Sequence, residues 1–380
     1  MTSRTIRIVF TVVLVLALSS QSFASSAEVI NNFAFNAARI LGQSEGSYFF
    51  SPSSIISAFG MAYAGAAGTT AAEIERALGF SWGLHGELGE FTQKIAEGEQ
   101  VSSANRVWLA DDLSLRKDYQ NTLYLYYRSS AQALDIKDKP QESRKTINDW
   151  VSSKTNGKIP NLLAELDPAT RMIITNAVYF NAEWLEKFPR RATKPEEFRD
   201  GDKVTEVPMM KQNENFSYGE FDGVKVVRLP YKGRRMSMLV VLPREGQVID
   251  INAETLKQWS GKLTTHKVDL WLPKFRTENS YELADLFKAL GVQEAFTNSA
   301  NFAGISDAEQ LKIDTVIHKT FIDVDEEKTE AAAATAIGMM RATAMPPQHP
   351  RAEFHAYHPF TYFIVDNETE TILFMGRQTF

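Results

Sequence analysis

Six histidines, at His85, His266, His318, His349, His355 and His358, and no cysteine are the chain's means for acid–base, nucleophilic or metal chemistry beyond its carboxylates. Imidazole titrates near neutrality and ligates metals, so the last three, crowded near the C-terminus, come first. Glu353 is the one acid close to them, which falls short of a zinc or hydrolytic metal set. They read as loop and strand-start residues. His318 stands inside the apolar alternation DTVIHKTFIDV and reads as a satisfied core histidine. The missing thiols remove cysteine nucleophiles, disulfides, iron–sulfur sites and cysteine-ligated zinc together. Ser114-Leu-Arg-Lys117 matches a serine–lysine S-x-x-K pattern, but the S-D-N and K-T-G partners are absent. There is no G-x-S-x-G, H-E-x-x-H, Walker A or G-x-G-x-x-G motif. No catalytic group, cofactor or metal is expected.

The elements around these residues are those of an ordinary globular protein, 44% hydrophobic and 23% charged over 380 residues. A net charge of −6 argues against a nucleic-acid partner, which would need a basic face. The first 24 residues differ from the rest. Arg4 and Arg7 precede an apolar run from Ile8 to Leu18, and Ser22 and Ala24 then flank Phe23. That pattern predicts a secretory signal peptide over 1–24, cleaved near Ala24–Ser25. About eleven apolar residues cannot cross roughly 30 Å of hydrocarbon as an anchor. No later stretch is long and apolar enough to span. Removal of two arginines and no acids takes the charge from −6 to −6 − 2 = −8. The expected product is an acidic exported monomer, secreted or, in a Gram-negative bacterium, periplasmic, and free of the membrane. Asn215 and Asn367 match the glycosylation acceptor pattern, which matters only in a eukaryotic host.

Ala27 to about Phe80 reads as helical, with small residues crowded in GMAYAGAAGTTAAEIERAL. Residues 147–163 read as a helix stopping at Asn156-Gly157, before a turn with Pro160. Asn176–Phe180 and Met236–Leu242 have the continuous apolar character of buried strands. KVDLWLPKF alternates as a half-buried strand, and Tyr281 to Phe296 reads as an amphipathic helix with Leu283, Leu286, Phe287 and Leu290 on one stripe. Thr361–Val365 and Thr371–Met375 should pair as a hairpin around DNETE. Helices dominate early and strands late, without βαβ alternation or repeats. This predicts one α+β domain, residues 25–380, with a largely antiparallel sheet.

The most informative stretch is EEKTEAAAATAIGMMRATAM, from Glu326 to Met345. Thr329 to Ala336 contains only Thr, Glu and Ala, which alone would suggest an alanine-rich helix. A strand leads directly into it, however, and Pro346, Pro347 and Pro350 stop any helix after it. A long loop in a compact domain is uncommon and usually functional.

The segment resembles the hinge and reactive-centre loop of a serpin. FFSPSSIISAFGMAYAGAAGTT, INDWVSSKTNGKIPNLL, NAVYFNAEWLEKF, LPKFRTENSYELADLFKALGV, ANFAGIS and HAYHPFTYFIVDNETETILFMGR follow in that family's order from about Phe33 to Arg377. The resemblance implies three β-sheets with eight or nine helices and a reactive-centre loop over about 326–353. It also implies a serine protease inhibitor that is consumed in one turnover. The target protease cuts the loop and is held as a covalent acyl-enzyme, while the loop enters the central sheet as a new strand. Thr329, Ala331, Ala333 and Thr335 would then share one face, and all four are small.

By the same resemblance Glu326, Glu327, Lys328, Thr329, Glu330, Ala331, Ala332, Ala333, Ala334 and Thr335 form the hinge. Ser51, Ser54, Asn176 and His318 match the polar cluster beneath the central strands, the shutter. Trp184 stands at the breach, where the loop first enters the sheet. Lys328 departs from the family, which usually has glycine there. Lysine adopts positive φ only at a cost and must keep its amine in water. Counting from Glu326 puts the reactive bond at Ala342–Thr343, which suits elastase- or subtilisin-like proteases. Arg341–Ala342 is the alternative and suits trypsin-like ones. A non-inhibitory serpin, acting as a binding protein or a protease substrate, is the competing reading.

Overall fold

A computed structural model of the chain describes residues 24–43, 46–98, 100–247, 249–307, 311–329 and 349–380. The expected signal peptide up to residue 23 lies outside these, as do Glu330, Ala331, Ala332, Ala333, Ala334, Thr335, Arg341, Ala342 and Thr343.

Eight α-helices occur among the described residues: α1 (Ser26–Leu41), α2 (Pro52–Tyr63), α3 (Gly68–Leu78), α4 (Leu84–Ala96), α5 (Lys117–Tyr127), α6 (Pro140–Lys154), α7 (Ala253–Lys262) and α8 (Ala284–Ala289). Local chemistry sets their ends. Ser25 and Glu28 form a reciprocal capping box at α1. Ser51 caps α2 through the Ser54 N–H, with Pro52 in the first turn. The chain leaves α6 through Asn156 and Gly157, both at positive φ, as their sequence predicts. Every residue of α2 is buried, so it is a core helix and not a surface one.

The central sheet has five strands in the order β11 (Phe275–Glu282), β12 (Thr315–Val324), β4 (Met172–Phe180), β2 (Val101–Ala110), β3 (Ala131–Leu134). Its two inner neighbours, β4 and β12, run parallel, whereas β2 and β11 flank them antiparallel. All nine residues of β4 are buried, which explains its unbroken apolar run. Alternation sends Ile173 to a small core with Ile147 and Trp108, and Ala177 to another with Val151 and Ile159. Met172, Ile174, Val178 and Phe180 join the main core instead. Asn176 belongs to that second row, so its amide is sent into the protein interior.

A nine-stranded sheet packs beneath. Its order is β1 (Tyr48–Phe50), β16 (Thr371–Gln378), β15 (Phe360–Asp366), β9 (Met236–Leu242), β8 (Val224–Pro230), β7 (Lys203–Phe221), β10 (Thr264–Pro273) and β14 (Arg351–His355), with β6 (Lys194–Asp200) on β7. The 19-residue β7 pairs with β6, β10 and β8 along successive stretches, so the second and third expected sheets run into one another through it. A two-stranded ladder, β5 (Ala182–Glu183) with β13 (Lys328–Thr329), completes the pairing among the described residues.

Two element boundaries differ from the sequence reading. Tyr281 and Glu282 continue β11 opposite His318 and Ile317, so the helix expected to Phe296 shrinks to α8. Gly291 at φ 106° ends its last turn, and a 3-10 turn over Glu294–Phe296 follows. Leu283, Leu286 and Phe287 are buried all the same, because a single turn already aligns them. KVDLWLPKF divides between β10 and β11 at Lys274. The hairpin of β15 and β16 forms as expected, with an irregularity between Ile364 and Val365.

The small residues after α2 reflect a close backbone approach. The Gly304 N–H donates to the Gly65 carbonyl at 3.1 Å, and a Cβ built on Gly304 would meet that oxygen at 2.8 Å. Gly304→Ala should therefore cost about 1–3 kcal/mol, read as a lower guanidinium midpoint at unchanged slope. An unshifted midpoint would show that this crossing can give way.

Candidate functional site

Register puts four side chains in one row across the central sheet. Asn105 of β2 is opposite Asn176 of β4, Asn176 is opposite His318 of β12, and His318 is opposite Tyr281 of β11. His318 and Asn176 are fully buried, so every polar atom needs a partner. The Ser51 backbone N–H donates to His318 Nε2 at 3.0 Å. That ring nitrogen must be unprotonated, so Nδ1 carries the hydrogen and donates to Asn176 Oδ1 in a close contact. Asn176 Nδ2 in turn faces the Ser54 carbonyl at 3.1 Å, Ser54 Oγ at 2.5 Å and Asn105 Oδ1 at 2.5 Å. Ser51 Oγ donates to the Leu373 carbonyl at 2.7 Å. The His318–Asn176 bond thus bridges the seam between β4 and β12, while α2 ties both partners to the core.

Burial pushes the His318 imidazole down to about 3, only partly opposed by its bond to Asn176. This is a neutral structural histidine, as its apolar setting in the sequence indicates. The other histidines do not converge on it. His85 Nδ1 meets Tyr127 Oη at 2.6 Å, with burial holding the ring near 4, and His355 Nε2 pairs with Asp269 at 3.2 Å. Ser114 and Lys117 are exposed on the approach to α5. Among the described residues no group of three or more His, Asp or Glu could hold a metal ion.

At the upper end of the seam, Trp184 is buried and stacks on Tyr231 with ring centroids 4.6 Å apart. Its Nε1 donates to the Asp325 carbonyl at 2.9 Å, and its backbone N–H donates to the Glu327 carbonyl at 3.1 Å. The Glu326 carboxylate is buried between Lys274 Nζ at 2.7 Å and Thr193 Oγ1 at 2.8 Å. Burial favours its neutral form, but these bonds outweigh that and hold its pKa below the usual carboxylate value. Glu327 pairs with Arg190 at 2.7 Å. Lys328 and Thr329 then pair antiparallel with Glu183 and Ala182, beside Trp184. Extended backbone makes no demand for positive φ, so the lysine that replaces the family's glycine meets no conformational penalty at this position.

Ser51, Ser54, Asn176 and His318 are therefore one connected network, and Trp184 touches the turn at Asp325–Glu327 that follows β12. Asn105, Tyr281, Lys274 and Thr193 were not anticipated. Their positions depend on strand register, which no local pattern discloses.

A five-stranded sheet with a parallel inner pair, polar residues bridging that pair and a long segment leaving its end are the features of a serpin. The family model described as Serpin (serine protease inhibitor) matches residues 28–379, and the chain belongs to that family. A serpin-like protein of Thermococcus kodakarensis is 39% identical, over 92% of this chain and 84% of that protein. The leukocyte elastase inhibitor of Equus caballus is 35% identical over 91% and 97%. A solved structure of human thyroxine-binding globulin superposes with a TM-score of 0.83 at 26% identity, covering 93% of this chain and 97% of that one. No helix among the described residues is long and apolar enough to cross a membrane.

The depressed His318 value carries a pH signature. Between the unfolded value of 6.5 and the folded value of about 3, the unfolded chain binds a proton that the native chain refuses. Stability is complete above that window and is lost as pH falls through it, by about 2 kcal/mol at pH 5. His85 and His358 add in the same direction, since burial lowers both. Guanidinium unfolding at pH 7 and pH 5 should show a smaller pH difference for His318→Gln than for the unaltered protein. Equal differences would deny His318 this role.

Proposed function

We propose that this serpin inhibits serine proteases as a one-turnover suicide substrate. A protease cuts the loop after Ala342, or after Arg341, and the acyl-enzyme is trapped when the loop enters the central sheet. The observation that carries this reading is the direction of β4 and β12. They are parallel neighbours, and the hinge leaves the end of β12. A segment returning along β12 must run antiparallel to it, and hence antiparallel to β4 as well. Insertion would replace one parallel ladder by two antiparallel ones, which adds hydrogen bonds in the more stable arrangement. About sixteen residues at roughly 3.3 Å each reach about 53 Å. A compact domain of this size is about 50 Å across, so the loop can carry a protease from pole to pole.

On this reading Glu326 to Thr335 are the hinge, and Ser51, Ser54, Asn176 and His318 are the shutter that must part. Trp184 marks the point of first entry. The uncut protein is a kinetic trap, made before use and spent once. Small side chains in the hinge support inhibition, and so does the name of the equine relative. The leader over 1–24 supports export of a single domain, 25–380, acting as a secreted or periplasmic monomer. The second reading, a serpin that binds a ligand or is merely cut, is favoured by Lys328 in the hinge and by the likeness to thyroxine-binding globulin.

Incubation with pancreatic elastase, subtilisin and trypsin separates the two. Inhibition yields an SDS-resistant complex and a sharp rise in melting temperature of loop-cleaved protein. Cleavage with full protease activity and an unchanged melting temperature would select the second reading. Thr329→Arg should turn the inhibitor into a substrate, because a charge would have to enter the sheet.

A further inference from the structure

The seam between β4 and β12 is also fastened at its lower end, by a residue outside the shutter and the breach. Asp314 immediately precedes β12. Its Oδ2 accepts the Arg171 N–H at 2.7 Å and the Met172 N–H at 3.1 Å, while its own N–H donates to the Met172 carbonyl at 3.0 Å. Met172 opens β4, so one residue makes three bonds across the first rung of the seam. The remaining carboxylate oxygen faces Lys312 Nζ at 3.9 Å. The Arg171 side chain turns away to Asp112 at 3.0 Å and does not compete. Below lies a polar groove of about 620 Å³, lined by Asp167, Arg171, Asn298, Lys312 and Asp314.

We propose that Asp314 is a carboxylate latch that holds the far end of the β4–β12 seam closed until a strand has entered almost to full depth. The proposal rests on the insertion reading above. Two N–H donors pinned by a charged acceptor form a stronger closure than the ladder bonds beside them. A strand returning from the turn at Glu326–Glu327 needs about twelve residues, or about 40 Å, to come level with Asp314. Hinge and shutter can therefore part while the latch holds, and only complete insertion breaks it. Asp314 is a positioning residue whose contacts belong to the uncut form alone.

The test compares guanidinium unfolding of uncut and elastase-cleaved protein for the unaltered chain, Asp314→Ala and Asp314→Asn. Asp314→Ala should lower the uncut midpoint by roughly 0.3–0.5 M and leave the cleaved midpoint where it is. Asp314→Asn keeps one oxygen acceptor and should recover part of that loss. Equal losses in both forms, or none in the uncut form, would overturn the latch while leaving insertion intact. No gain on cleavage of the unaltered protein would instead bring down the insertion reading, and the latch with it. If Asp314→Ala does not fold, Asp314→Asn carries the same comparison.

Discussion

Two parallel strands side by side at the centre of the five-stranded sheet, each flanked by an antiparallel neighbour, are the constraint on which this molecule turns. A parallel ladder is the weaker of the two ladder types, yet β4 and β12 are covered on both faces by apolar packing. Separation at this central seam gives up the weaker type of ladder but disturbs the core. Polar residues are stationed along it for that reason. The His318–Asn176 contact and the bonds around Ser51 and Ser54 are fully satisfied when the seam is closed, and they become unpaired buried groups when it starts to open. Opening the seam therefore meets a barrier.

The charges at the seam's upper end act with the same logic. Burial disfavours the Glu326 carboxylate, and the bonds from Lys274 and Thr193 more than offset that, while Trp184 lies against the turn that carries it. Removing one partner of such a pair costs more than the pair contributes, since a buried charge is left behind. The turn out of β12 is held in place by contacts that cannot be loosened one at a time.

Much of this was legible in the chain. Continuous apolar runs marked β4 and β9, the Asn-Gly pair marked the end of α6, and the small-residue stretch marked a close crossing at Gly65 and Gly304. Ser51, Ser54, Asn176 and His318 were singled out through family order, because their types alone, two serines, an asparagine and a histidine, describe any satisfied core. Asn105 and Tyr281 escaped notice because membership of the row depends on which residues stand opposite across strands far apart in sequence. The helix expected over Tyr281–Phe296 failed for a related reason. Tyr281 has a strand partner in His318, and tertiary pairing overrode a helical stripe that one turn was enough to satisfy.

The long β7 makes one continuous fabric of β14, β10 and the strands beneath the central sheet. The chain rejoins this fabric at Arg351, where β14 lies parallel on the outer edge of β10. Thr329 and Arg351, which stand on either side of the proposed reactive segment, thus belong to separate sheets. On the proposed reading, a cut between them would leave one stump held only by the two-residue ladder with β5 while the other remained stitched to the edge. Insertion would carry the new termini apart, and the reverse reaction, rejoining the peptide bond, would lose its substrate. Irreversibility in such a molecule would come from the wiring of its sheets and would need no chemical step of its own.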